Sequence, residues 1–261
     1  MLGNKQSIRT LAEKLHDSEV NRIAIEQPTE IFSGLSVDDA YEIQLENIKR
    51  KQKEGLQITG KKIGLTSKSM QELLGVGEPD YGHLLNDMEV ANGGTVPPGK
   101  LISPKVEGEI AFILREDIKG PGITMEQVLN ATEYIVPSIE IVDSRVKDWK
   151  ITLEDTIADN ASSGLYVLGD AHVSPRKYDL SKLKMDLYKN GNFVNNGTGA
   201  DVLGNPAICV AWLANRLADY NISLKAGEVI LSGALSAAIE GETGDSFEIK
   251  IEDLGSVSVV L

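Results

Sequence analysis

The sequence predicts an α+β protein: a small, mainly helical N-terminal region, residues 1–58, followed by a mixed β-sheet domain, residues 59–261. Three observations point there. Apolar residues of the first segment recur at helical spacing, those of the remainder fall mostly in short runs between turns, and the segments neither alternate as βαβ units nor repeat. A chain of 261 residues can bury a sizeable core of this kind.

Ile8, Leu11, Ala12 and Leu15 mark the first helix. Ser36 with Asp39 has the form of a capping box, opening a helix through Ala40, Tyr41, Ile43, Gln44 and Ile48, and Gly55 closes the region. A strand is expected over 60–67 (GKKIGLTS), then a short helix over 67–74 (SKSMQELL) stopped by Gly75. Residues 77–87 (GEPDYGHLLND) have the Pro, Gly and Asp of a loop. Turns at 94–99 and 120–122 flank a strand over 101–115 (LISPKVEGEIAFILR). Thr124 and Gln127 can cap a helix over 125–133, followed by a strand over 135–143 (IVPSIEIVD). Residues 143–155 read as a charged connection and 159–164 (DNASSG) as a small polar loop. Beyond these come short strands at 166–168, 184–188, 229–232 and 255–261, with a hairpin turn at Asn190, Gly191 and Asn192. One clear helix interrupts them, opened by Asn205 and Pro206 and carrying Val210, Ala211, Leu213, Ala214 and Leu217 on its apolar face.

A net charge of −13 with no block of Lys or Arg argues against a nucleic-acid or anionic-membrane surface. No stretch approaches the ~18 to 20 apolar residues of a membrane span, and the N-terminus lacks an apolar signal core. The lone Cys209 lies in an apolar run, where a core role is expected, and fits a reducing compartment. The expectation is a cytoplasmic protein.

Glu107 and Glu109 are the centre of the chemistry. Their E-x-E sits in an apolar strand whose period of two puts both carboxylates on one face, about 5.5 Å apart and repelling by roughly 3 kcal/mol at an effective dielectric of about 20. A half-buried pair of this kind needs a cation or a shared proton. Glu140, between Ile139 and Ile141 in the next apolar strand, would make a third ligand for a hard cation such as Mg²⁺ or Mn²⁺. The alternative is a solvated sheet face, and Phe112, Ile113 and Leu114, which mark the strand as buried beyond the pair, weigh against it. Lys62, beside the apolar Ile63 and Leu65, is either a base of lowered pKa or a snorkelling surface lysine. Asp80, Tyr81 and His83 sit in the expected loop, where turn chemistry alone would also explain Asp80. Three scattered histidines and one cysteine argue against zinc, and no dinucleotide, phosphate-loop or serine-triad motif is present.

Taken together, GKKIGLTSK, EPDYGHLL, KVEGEIAFIL, PSIEIVDSR, DTIADNASSG, GNPAICVAWLAN, LKAGEVILSGAL and GDSFEIKIEDLGSVSV resemble one group, in the same order along the chain. It is the 2-hydroxypenta-2,4-dienoate (2-oxopent-4-enoate) hydratase and 4-oxalocrotonate decarboxylase group of the fumarylacetoacetate-hydrolase-like fold. The resemblance implies that fold for residues 59–261, Glu107, Glu109 and Glu140 as ligands of Mg²⁺ or Mn²⁺, and Lys62, Asp80 and Ser162 as catalytic pocket residues. It implies a small 2-oxo or 2-hydroxydienoic acid as substrate, in the meta-cleavage catabolism of aromatic compounds. A homo-oligomer is implied too, with association to a pathway partner enzyme as a further expectation. The wording of GKKIGLTSKSMQELLGVGEPDYG and ILSGALSAA is closer to the monoacid hydratases than to the decarboxylases. A hydratase forming 4-hydroxy-2-oxopentanoate is therefore expected, with the decarboxylase as alternative and a non-catalytic partner subunit as a third reading, against which the intact carboxylate trio and Lys62 count.

Overall fold

Local signals hold well in the N-terminal region. The computed structural model describes residues 2–68, 71–72 and 75–261. Helix α1 spans Leu2–Asn21, α2 Pro28–Ile31 and α3 Val37–Lys53, and both halves of the Ser36/Asp39 capping box are made. Ile8, Leu11, Ala12 and Leu15 are buried, as are Ala40, Tyr41, Ile43, Gln44 and Ile48 of α3. The chain then turns at Gly55, whose φ of +101° is open to glycine at little cost.

Two sheets follow. The larger has eight strands in the order β2 (Asp80–Leu85), β1 (Ile58–Gly64), β10 (Val229–Leu231), β5 (Pro104–Leu114), β6 (Thr132–Asp143), β7 (Ser163–Leu168) and β3 (Glu89–Val90), with β11 (Ile239–Glu240) also pairing with β5. It is mixed: β1 runs parallel to β10 and β3 to β7, while the other pairs are antiparallel. The smaller runs β4 (Gly94–Thr95), β13 (Gly255–Val260), β12 (Ser246–Ile251), β8 (Lys184–Lys189) and β9 (Asn192–Thr198). The two meet at Gly108 on β5, where a Cβ would lie 2.9 Å from Ile249 Cδ1 and 3.1 Å from the Met185 side chain. The described residues also form helices α4 (Met125–Ala131), α5 (Leu153–Ala158) and α6 (Pro206–Ala218), and Cys209 on α6 is fully buried. No helix among the described residues is long and apolar enough to cross a membrane.

Several expectations need correction. Strand β1 stops at Gly64, because Leu65 adopts a left-handed φ of +55° that no strand continues. The helix expected over 67–74 falls partly outside the described residues. The expected loop at 77–87 contains β2, every residue of which is buried against β1, from Gly64 opposite Asp80 to Ile58 opposite Leu85. The helix at 125–133 ends at Ala131, since Thr132 is already extended and paired in β6. Most of all, the charged connection after β6 is buried at its start, while Lys147, Asp148 and Lys150 further along are exposed. Asp143, Ser144 and Arg145 are buried, and α5 begins at Leu153 behind a Thr152/Asp155 capping box. Strand β12 was legible but passed over: Phe247, Ile249 and Ile251 alternate with Glu248 and Lys250, and the three apolar residues are buried.

Candidate metal and substrate site

Pairing of β5 with β6 sets Glu107 directly opposite Glu140, and the strand period places Glu109 on the same face. One carboxylate oxygen from each of the three lies within 4.8 Å of the others. Like charges opposed across a ladder are unfavourable, the more so here because Glu109 and Glu140 are 0% and 1% exposed. Glu109 Oε2 accepts from the Gly233 amide at 2.8 Å, but Glu109 Oε1 and Glu140 Oε2 have no hydrogen-bond donor among the described residues, and Glu140 Oε1 faces only the Lys62 ammonium. Burial, and next Glu140, push Glu107 up to about 7. Burial and the two neighbouring carboxylates raise Glu109 well above the usual range, and burial raises Glu140 against the pull of Lys62. Converging orphaned oxygens of this kind fit a divalent cation, and an all-carboxylate donor set suits a hard ion of the Mg²⁺ or Mn²⁺ type.

Lys62 reaches the cluster from β1. Its Nζ lies 3.2 Å from Glu140 Oε1 and donates to the Ala161 carbonyl at 3.0 Å. At 4% exposure it is no snorkelling lysine. Nor is its pKa lowered. Burial opposes the charge, but Glu140, Asp80, Glu107 and Glu109 together outweigh it, so the group is held as an ammonium. Asp80, opposite Gly64 in the β1–β2 ladder, joins from the other side, and burial raises its carboxyl against the attraction of Lys62. Gly64 leaves room for both: a Cβ there would lie 2.2 Å from Asp80 Oδ1 and 3.3 Å from Lys62 Nζ. A cavity of about 500 Å³ opens onto Glu107, walled by Ile63, Leu65, Leu235 and Ser236, with Lys105 as the basic side chain in its described lining.

Five of the six expected residues thus come together, and Ser162 stands one layer behind. Its hydroxyl donates to Asp159 Oδ2 at 3.2 Å and lies 3.4 Å from Thr156 Oγ1. Tyr81 stacks on Tyr41 at 4.6 Å, and the His83 ring contacts Gln44 Oε1 at 3.0 Å, so neither is directed at the carboxylates. Two residues the sequence reading passed over support the site. Arg145 donates to Asp159 Oδ1 at 2.5 Å and to the Ser163 carbonyl at 2.7 Å, and also to the carbonyls of Asp143 and Asp159. Asn160 begins a run of three left-handed residues, Asn160, Ala161 and Ser162, at φ +57°, +50° and +50°. Each costs about 1 kcal/mol or more for a residue with a Cβ, so the surroundings must hold the turn in place.

Comparison with known proteins fits this geometry. Residues 85–261 match the family model described as fumarylacetoacetate (FAA) hydrolase C-terminal. The chain belongs to this family. Within it, the chain is 44% identical over 260 residues to a 2-hydroxyhexa-2,4-dienoate hydratase of Comamonas testosteroni, covering 99% of this chain and 98% of the relative. It is 48% identical over 221 residues to a 2-hydroxypent-2,4-dienoate hydratase of Pseudomonas putida, covering 84% and 100%. Among solved structures, 4-oxalocrotonate decarboxylase from Pseudomonas putida G7, complexed with magnesium and adipate, superposes with a TM-score of 0.95 at 38% identity, over 98% of this chain and 97% of that one. The family's fold is therefore the fold of this chain.

Proposed function

We propose that this chain is a divalent-metal-dependent hydro-lyase that adds water to 2-hydroxypenta-2,4-dienoate, or a close homologue of it, to give the 4-hydroxy-2-oxo acid. The Glu107, Glu109 and Glu140 cluster, with Glu109 and Glu140 buried and Glu107 lining the cavity, carries the reading, and the identity to named hydratases supports the reaction. Those three carboxylates would hold Mg²⁺ or Mn²⁺, which when bound supplies Lewis-acid polarisation of the 2-oxo acid's oxygens. The chain's own groups do the rest. The Lys62 ammonium offers a proton and a positive charge to the substrate's anionic oxygen, and Asp80 Oδ1, without a donor among the described residues, is placed to accept one. In the overall reaction the dienol loses its 2-hydroxyl proton and gains one at C5 to become the conjugated ketone, which then takes the elements of water, hydroxide at C4 and a proton at C3. Ser162 acts through Asp159, supporting the turn that touches Lys62. Ile63, Leu65 and Leu235 wall off an apolar tail, as a short dienoate requires. Residues 1–58 form the helical brace of the catalytic domain at 59–261. The reading includes a cytoplasmic homo-oligomer working in the catabolism of aromatic meta-cleavage products.

A decarboxylase is the second reading, favoured by the superposition on 4-oxalocrotonate decarboxylase. One experiment separates them. Purified protein with Mg²⁺ is offered 2-hydroxypentadienoate and, separately, 4-oxalocrotonate. Loss of the dienol's ultraviolet absorbance without CO₂ supports the hydratase, and CO₂ from the second substrate supports the decarboxylase.

A further inference from the structure

Behind Lys62 lies a clamp that the reading above does not use. The Asn160 carboxamide makes two opposed hydrogen bonds to the backbone of one residue on β2: the His83 amide donates to Asn160 Oδ1 at 2.8 Å, and Asn160 Nδ2 donates to the His83 carbonyl at 2.9 Å. Asn160 thereby mimics a strand partner for β2. Its own carbonyl presses on the neighbouring residue, 2.4 Å from where a Cβ of Gly82 would sit, so only glycine admits the turn there. Gly82 is in turn the ladder partner of Lys62. The next residue of the left-handed turn, Ala161, presents the carbonyl that accepts from Lys62 Nζ at 3.0 Å. The clamp is itself braced, because His83 Nδ1 contacts Gln44 Oε1 at 3.0 Å while Gln44 Nε2 donates to the carbonyls of Tyr81 and Ile157.

We propose that Asn160 is a positioning residue for the reaction: its carboxamide, clamped to the His83 backbone, fixes the Ala161 carbonyl and so holds the Lys62 ammonium at one place beside Glu140. Without the clamp, three left-handed residues have less to keep them there. The carbonyl then rotates away, and the ammonium, on a flexible four-carbon stem, loses its fixed direction. The catalytic part of this inference rests on the role proposed for Lys62, whereas the structural part does not.

The test uses the full-length, Mg²⁺-loaded protein. In ¹⁵N-lysine-labelled protein the Lys62 ammonium, identified by its absence from Lys62→Met, should give a protected signal in wild type that broadens beyond detection in Asn160→Ala. This readout needs no turnover. In the dienoate assay Asn160→Ala should lower kcat by about 10²-fold, as small misplacements of a reacting group do, with KM changed by less than about threefold. In a Lys62→Met background the same substitution should lower kcat no further. Asn160→Gly keeps the left-handed turn without steric cost but deletes the clamp, and should behave like Asn160→Ala; should the alanine variant not fold, the glycine variant carries the same readings. A normal Lys62 signal and normal kcat in both variants would overturn the proposal. So would an equal fall in kcat with and without Lys62, which marks general damage. If wild type is inactive on every dienoate yet the Lys62 signal responds to Asn160, the functional reading fails and the clamp stands.

Discussion

Lys62→Met keeps the apolar stem and deletes the ammonium from a fully buried site. At the 3.2 Å separation of Nζ from Glu140 Oε1, the lost attraction is about 5 kcal/mol at an effective dielectric of about 20. Little of that should appear as lost stability. Removing the ammonium also removes its own desolvation cost, and the carboxylates, already raised by burial, can take up a proton in its place. Unfolding should therefore remain cooperative, with a loss of order 1–3 kcal/mol, the cost of an unsatisfied buried acceptor at the Ala161 carbonyl. Turnover should suffer far more, by roughly 10²-fold or more if Lys62 moves a proton. Lys62→Arg keeps the charge but cannot place a compact ammonium in the same space, and should restore little. The assay is the decay of dienol absorbance under saturating Mg²⁺, paired with urea unfolding of the same samples. A Lys62→Met protein with wild-type kcat and KM would refute the reasoning.

Other expectations follow from the same geometry. Glu107→Gln, Glu109→Gln and Glu140→Gln should each lower Mn²⁺ affinity, measured by calorimetry on the chelator-stripped protein; wild-type affinity in all three would exclude the cluster as the ion's site. Gly64→Ala puts a methyl 2.2 Å from Asp80 Oδ1 and should abolish turnover while the far-ultraviolet spectrum is kept, and an active variant would show that Asp80 can move without consequence. Burial lowers His83 from 6.5 to about 3, so below pH 6.5 the unfolded chain takes up a proton the folded chain refuses. Stability should therefore fall by about 1.4 kcal/mol per pH unit below that point, or about 2 kcal/mol by pH 5, in wild type relative to His83→Gln. Urea midpoints at pH 7 and pH 5 that shift equally in the two proteins would contradict it. Light scattering at micromolar concentration should report an oligomer, and a monomer would remove assembly from the proposed function.

The carboxylate trio was legible because a strand's two-residue period needs no knowledge of the rest of the chain. Glu107, Glu109 and Glu140 sit in long apolar runs, and β5 and β6 formed nearly where those runs lie. The helix caps at Ser36, Thr124 and Asn205 were equally local, each satisfied within three residues. What escaped depends on partners far along the chain. Strand β2 reads as a loop because Pro79, Gly82 and Asp80 are turn formers, and only pairing with β1 and the approach of Asn160 to Gly82 make it a strand. Arg145 reads only as part of a charged connection, yet its guanidinium is satisfied by Asp159 and by backbone carbonyls up to 18 residues away. Lys62 looked like a candidate for a lowered pKa because Ile63 and Leu65 beside it in sequence are apolar. Its neighbours in space are four carboxylates, and they reverse the sign.

The most direct test of the central claim is the rate of 2-hydroxypentadienoate consumption by wild-type protein stripped exhaustively with a chelator, before and after Mg²⁺ or Mn²⁺ is restored. The expected result is no measurable decay of the dienol absorbance above background until the cation returns, then full recovery. Full activity in the stripped protein would contradict the assignment of Glu107, Glu109 and Glu140 as the ligands of an essential metal.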